Sequence, residues 1–194
     1  MSSRIAAPLA LLATALGISG ASAQTSATPV PAPQLSPQSV VKYWLEPPPA
    51  ASAGVLERGK WLFRQQGCFL CHGPEGQGGV PNRNYLNDTI PALALAKWMT
   101  LFDREDVDVI VEQLKRGVRL ETLADSSPVP RFNVVLEQYW SVHRLIQNGS
   151  VVGKKDPKGP KPPLNMPRWG RHLTEADIDA MIAYLLSLQP PEKK

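Results

Sequence analysis

Only two cysteines, Cys68 and Cys71, occur in the 194 residues, which excludes a four-cysteine zinc ribbon. Histidine is nearly as scarce. His72, His143 and His172 are too scattered for a compact Cys2His2 finger. Beyond the first 20 residues there is no apolar run of the ~20 residues needed to cross a bilayer. Charge of one sign is also lacking, since 21 Lys and Arg against 17 Asp and Glu leave a net charge of only +4. With no binding motif beside it, that balance argues against nucleic acid as a partner. Little in the chain has the period-two alternation of strands, and there is no internal repeat.

What is present is concentrated in one pentapeptide. Cys68-Phe69-Leu70-Cys71-His72 is a Cys-x-x-Cys followed directly by His, the attachment signature of a c-type haem. On one turn of helix the two thiols share a face, so both can reach the vinyl edge of a single porphyrin and form thioether bonds. His72, four residues beyond Cys68, projects toward the iron as proximal ligand. A thioredoxin-like disulfide uses the same Cys-x-x-Cys but needs a preceding strand in a βαβ context, and no strand pattern precedes Cys68. The remaining alternative is a chance match.

The N-terminus reads as a secretory signal peptide over 1–23. Met1 to Arg4 is a short positive segment, Ile5 to Ile18 is apolar, and Ala21-Ser22-Ala23 has the form of a cleavage site. An uncleaved anchor is the alternative, though the apolar stretch is short for a span and contains Pro8. Export to the periplasm agrees with the haem reading, because covalent haem attachment in bacteria takes place outside the cytoplasmic membrane. Residues 24–53 are rich in Pro, Ala, Ser and Thr and are expected to be an extended tether with too little apolar surface to order itself. Val40 to Leu45 interrupts it with apolar residues that can lie against a folded unit. That unit is expected over 54–190, long enough for one core.

The fold class expected for it is all-α. Val55, Leu56, Gly59, Leu62 and Phe63 recur at helical spacing and lead into the haem motif. Thr174 and Asp177 make a capping-box-like start to a last helix whose stripe is Ile178, Met181, Ile182, Leu185 and Leu188, ended by Pro190-Pro191. Between them, Asp103 to Arg116 is acidic in its first turn and basic in its last, as the macrodipole favours, with Val107, Ile110, Val111 and Leu114 as its buried face. A fourth helix is predicted over Arg131 to Gln147.

The second axial ligand has several candidates. Met181 lies on the last helix's stripe and Met99 in a segment where methionine is a gap-filler. Met166 stands in Pro162-Pro163-Leu164-Asn165-Met166-Pro167-Arg168-Trp169-Gly170, a rigid non-helical loop. Pro167 restricts the Met166 backbone to an extended conformation, so its thioether can be presented to the iron. It is a soft donor that raises the potential. His143, on an apolar helix face with Leu136, Tyr139 and Ile146, and His172, beside Arg171, are the competitors. A core histidine and a solvated one are the ordinary readings of these two.

On Gly59-Lys60-Trp61-Leu62-Phe63, the haem motif with Gly67 and Gly73, Met166 to Gly170, and Leu173 to Leu185, the chain resembles the small monohaem cytochromes c with His/Met ligation. The resemblance covers the two ends of the domain. It implies a helical fold around one covalent haem c, with first and last helices crossing where Gly59 and Phe63 meet Tyr184. It also implies a proline carbonyl, here assigned to Pro81, that accepts the Nδ1 proton of His72 and fixes its tautomer. The chain departs from that pattern in the middle, where residues 124–163 read as an insertion before the axial Met166 loop.

Two function classes follow. In an electron-transfer protein, His72 and Met166 fill both axial positions and iron cycles between Fe(III) and Fe(II) without substrate. A haem enzyme or gas sensor needs an open or labile sixth position. A variant of the first class makes the chain the haem subunit of a periplasmic dehydrogenase or respiratory complex. The favoured reading is a carrier that is no enzyme itself. Its redox partner would be steered to a basic rim formed by Lys154, Lys155, Lys158 and Lys161, which share their stretch with one acid, Asp156. A solvated loop is the plain alternative.

Overall fold

The computed structural model describes residues 36–93, 104–123, 132–150 and 153–188; the signal-peptide stretch and Met99 lie outside them. The described residues form α1 (Pro37–Trp44), α2 (Val55–Gln65), α3 (Cys68–His72), α4 (Arg104–Lys115), α5 (Phe132–Asn148) and α6 (Glu175–Ser187), with short 3₁₀ turns at Leu86–Asp88 and Leu120–Leu123. Their only β pairing is two isolated bridges, Pro81 with Thr89 and Ser150 with Met166. The all-α expectation is met. No helix among the described residues is long and apolar enough to cross a membrane.

The core is organised around α6. Its start is the expected capping box: the Thr174 hydroxyl accepts from the Asp177 N–H, and the Asp177 carboxylate accepts from the Thr174 N–H. The sequence stripe on this helix predicts one buried face. In the structure Ala180, Ala183, Tyr184 and Leu186 are buried as well, so α6 is covered on nearly all sides, as befits a central helix. The helix α2 crosses it at Gly59, where an added Cβ would lie 1.9 Å from the Ala180 carbonyl oxygen. Only glycine lets the two backbones come this close. Phe63 and Tyr184 meet beside the crossing with ring centroids 5.8 Å apart. Arg58 of α2 donates from Nη2 (2.6 Å) and Nε (3.0 Å) to Asp177, tying the first of these helices to the cap of the last.

Around this pair α4 buries Val107, Ile110, Val111 and Leu114, and α5 buries Phe132, Val135, Tyr139, His143 and Ile146. These faces join Leu62, Leu120, Leu173, Ile178 and Met181 in the larger apolar cluster. A smaller cluster of Phe63, Phe69, Tyr184 and Leu185 lies behind the haem motif.

Part of the stretch expected as an extended tether is helical. Ser36 caps α1, accepting from the Ser39 N–H, and proline occupies its first turn, a favoured start. Composition averaged over the tract conceals this local signal and the partner surface that completes it. Tyr43 packs edge-on against Phe69, with centroids 5.0 Å apart. Gln65 donates to the Tyr43 carbonyl, Trp61 Nε1 to the Glu46 carbonyl, and Arg64 pairs with the Glu46 carboxylate at 2.8 Å.

Candidate haem site

The chain turns sharply out of α2 at Gly67, whose φ of +69° is left-handed, and the single turn of α3 follows. Gly73, with φ of +81°, ends it. Phe69 is fully buried in the smaller cluster, whereas Leu70 is exposed and Cys68, Cys71 and His72 are half-buried. Phe69 thus plugs the motif into the protein, and the reactive side chains line its accessible side.

Both cysteines are free thiols. Burial pushes Cys68 up to about 12, with a further rise from the neighbouring Cys71, and burial raises Cys71 too. Disulfide oxidoreductases and thiolate–metal sites need the opposite shift. No group of three or more His, Cys, Asp and Glu among the described residues could hold a metal ion. The two sulfurs, three residues apart on one helical turn, are placed for attachment to a single group.

The His72 ring has one anchored nitrogen. Its Nδ1 lies 3.3 Å from the Pro91 carbonyl oxygen, and burial lowers the pKa of the imidazole, partly countered by this contact. The neutral ring therefore donates from Nδ1 and keeps its lone pair at Nε2, the donor an iron requires. The acceptor is Pro91, which corrects the assignment to Pro81. The chain reverses after Gly78, whose N–H donates to the His72 carbonyl at 2.7 Å, and residues 79–82 then pair with 88–90. That pairing brings the far arm, with Pro91, back to the imidazole and leaves Pro81 opposite Thr89. Gly78 is required, since an added Cβ there would stand 2.4 Å from the Ala92 nitrogen.

Met166 is half-buried at the margin of the larger cluster, which Cys68 also borders. Its carbonyl accepts from the Ser150 N–H at 3.1 Å, and just beyond it Trp169 and Gly170 donate to the Ile146 and Gln147 carbonyls at the end of α5. Met181 is core, with 2% of its surface exposed. His143 is buried on α5, its Nε2 3.1 Å from a Glu175 carboxylate oxygen and 3.8 Å from Asp179. His172 is exposed. His172 is thus solvated, while His143 is a core histidine neither of whose ring nitrogens makes a hydrogen bond.

Sequence reasoning missed two asparagines in the loop after the motif. Asn82 and Asn84 are buried, and their amides bind the main chain of Leu164 and of Asp156 and Pro160. The signal available was a close-spaced asparagine pair beside Gly78-Gly79-Val80-Pro81, in a loop where Asn84, Asn87 and Asp88 adopt positive φ. On α5, Asn133, Leu136, Glu137, Trp140 and Arg144 line an open cleft of about 310 Å³ that holds no haem-site residue.

The donor set and its anchoring fit a c-type haem: two thiols on one helical turn and an imidazole with a fixed tautomer. No curated protein and no solved structure matches the chain. The family model of cytochrome c matches residues 56–128, a span that contains α2 from its second residue, the haem motif and α4, and this part of the chain therefore carries a cytochrome c family domain, a family that implies a covalently bound c-type haem.

Proposed function

We propose that the protein is a periplasmic one-electron carrier holding a single haem through Cys68 and Cys71, with His72 and Met166 as axial donors. The observation that carries the reading is the His72 ring, pinned through Nδ1 by the Pro91 carbonyl at 3.3 Å, on the same helical turn as Cys68 and Cys71. A haem held there by Cys68, Cys71, His72 and Met166 would supply reversible one-electron chemistry. The chain's part is to hold its donors still, so that little rearrangement accompanies a change of charge. Phe69 fixes α3 from behind, Pro91 fixes the imidazole, and the anchored loop fixes the backbone of Met166. The signal-like residues 1–23 support the compartment.

The lysines of the basic loop divide into two kinds. Lys154 donates to the Pro157 and Gly159 carbonyls, and Lys155 pairs with Asp88 at 2.6 Å. Those two shape the loop as well as charging it. Lys158 and Lys161 are exposed and are the better placed to steer an acidic redox partner.

Replacing Met166 by Ala tests the axial assignment. The oxidised protein should lose its sulfur-to-iron absorption band, turn from low-spin to high-spin, and bind carbon monoxide readily once reduced. An unchanged spectrum would remove Met166 from the site. Rapid carbon monoxide binding by the wild type would favour a gas-binding or enzymatic role.

A further inference from the structure

We infer that Asn82 is a positioning residue for Met166, an inference that rests on the reading of Met166 as axial donor. The Asn82 side chain is wholly buried. Its Oδ1 accepts from the Leu164 N–H and its Nδ2 donates to the Leu164 carbonyl, both at 3.1 Å. One amide thus takes both main-chain groups of the residue two positions before Met166, as a neighbouring strand would. On its other flank Met166 is held by Ser150, and Gly149 lies so close that an added Cβ would be 2.5 Å from the Met166 carbonyl oxygen. Two anchors therefore set the backbone over 164–166, and Pro167 removes the helical alternative.

Asn82 is itself part of the structure that orients His72. Gly79 donates to the Ile90 carbonyl at 2.9 Å, Ile90 to Val80 at 2.8 Å, and Asn82 to Asp88 at 2.7 Å. The next residue along, Pro91, accepts from the His72 ring. A single hairpin, residues 79–91, therefore grips the proximal ring at one end and the Met166 loop at the other. Asn84, two residues further on, grips Asp156 and Pro160, six or more residues upstream of Met166. It secures the insertion but not the donor.

The experiment measures carbon monoxide association with the reduced holoprotein in wild type, Asn82→Leu, Asn84→Ala and Met166→Ala. Covalent haem content and thermal midpoint are recorded for each. Leucine shares asparagine's γ-branched skeleton but offers Leu164 neither donor nor acceptor. Asn82→Leu should lose both hydrogen bonds to Leu164, retain covalent haem, weaken the sulfur-to-iron band and speed association about ten-fold or more, about the scale of a single buried hydrogen bond and so a lower bound for two. Asn84→Ala should lower the thermal midpoint yet stay within about two-fold of wild type in association, since its amide lies outside the donor's immediate loop. An Asn82→Leu rate equal to wild type, with Met166→Ala fast, would overturn the positioning role. So would equal acceleration by Asn82→Leu and Asn84→Ala, which would indicate general loosening of the insertion. If Met166→Ala is also unchanged, the axial assignment itself fails and takes the positioning role with it. Should Asn82→Leu not accumulate as holoprotein, Asn82→Asp serves the same comparison. It keeps the acceptor for the Leu164 N–H and removes the donor to the Leu164 carbonyl.

Discussion

Phe69 shows how little of a haem motif is free to vary even where the signature writes x. It has no exposed surface and meets Tyr43 from the side, so it is the anchor against which the two thiols are held. Phe69→Ala should cost about 3–5 kcal/mol, the usual range for emptying a buried aromatic site, measured by chemical denaturation of the holoprotein. Leu70, exposed in the same motif, should tolerate Ala with less than about 1 kcal/mol. Replacing Cys68 and Cys71 together by Ser should leave no haem stain on a denaturing gel, because both thioether attachments are gone. Asp177 carries the pH dependence at this scale. Burial pushes its pKa up, but the Thr174 hydroxyl and the Arg58 guanidinium outweigh it, so the net shift is below the ordinary 3.8. A depressed carboxylate stabilises the fold fully above its unfolded value and loses that contribution as pH falls through the folded one. The thermal midpoint of wild type should therefore drop more steeply below about pH 4 than that of Asp177→Asn, and parallel curves would remove Asp177 as a source of acid sensitivity.

Helix crossings decide most of the fold, and the α2–α6 contact decides the site. Gly59→Ala would drive a methyl group into the Ala180 carbonyl, and the helices can avoid it only by moving apart. A loss of about 1–3 kcal/mol is expected from such overpacking, read as a lower denaturation midpoint with covalent haem retained. The clamp of α1 is weaker. Tyr43→Ala removes the edge contact to Phe69 and the Arg64 guanidinium stacked 4.4 Å over its ring; about 1–2 kcal/mol is expected from an aromatic pair plus a cation–π contact. The capping box and the faces of α4 and α5 were legible in the sequence, because each is written within one element as cap chemistry or helical spacing, whereas the crossing of α2 and α6 at Gly59 was legible only through the family resemblance. The helix at 37–44 was obscured because its stability comes from surfaces on α2 and α3. The same holds for Pro91 and the asparagine clasps. Their partners are fixed by how a glycine-rich loop folds back, which spacing along the chain does not encode.

Over the whole molecule charge is segregated. Lys154, Lys155, Lys158 and Lys161 share a loop pinned to the haem-side hairpin through Asn84 and Lys155, whereas Glu105, Asp106, Asp108 and Glu112 belong to α4. A partner that the basic loop steered to the haem edge, as proposed, would feel the summed field of these lysines, which acts over about 30 Å at 0.01 M salt and about 8 Å at 0.15 M. Reversing Lys158 and Lys161 to Glu changes that field without removing a contact that shapes the loop. Electron transfer with an acidic partner protein should slow by about ten-fold at low salt, the magnitude typical of electrostatic steering, and should converge on wild type as salt rises, with the absorption spectrum unchanged. Lys155→Glu is the informative contrast. It places a carboxylate against Asp88, whose own carboxyl is held below its usual range first by the hydrogen bond from Lys155, so it should disturb the loop as well as the rate and fail to converge fully at high salt. Equal stopped-flow rates for wild type and the Lys158/Lys161 variant across the salt series would assign the cluster to solvation, and docking would then have to be sought on another face of the domain.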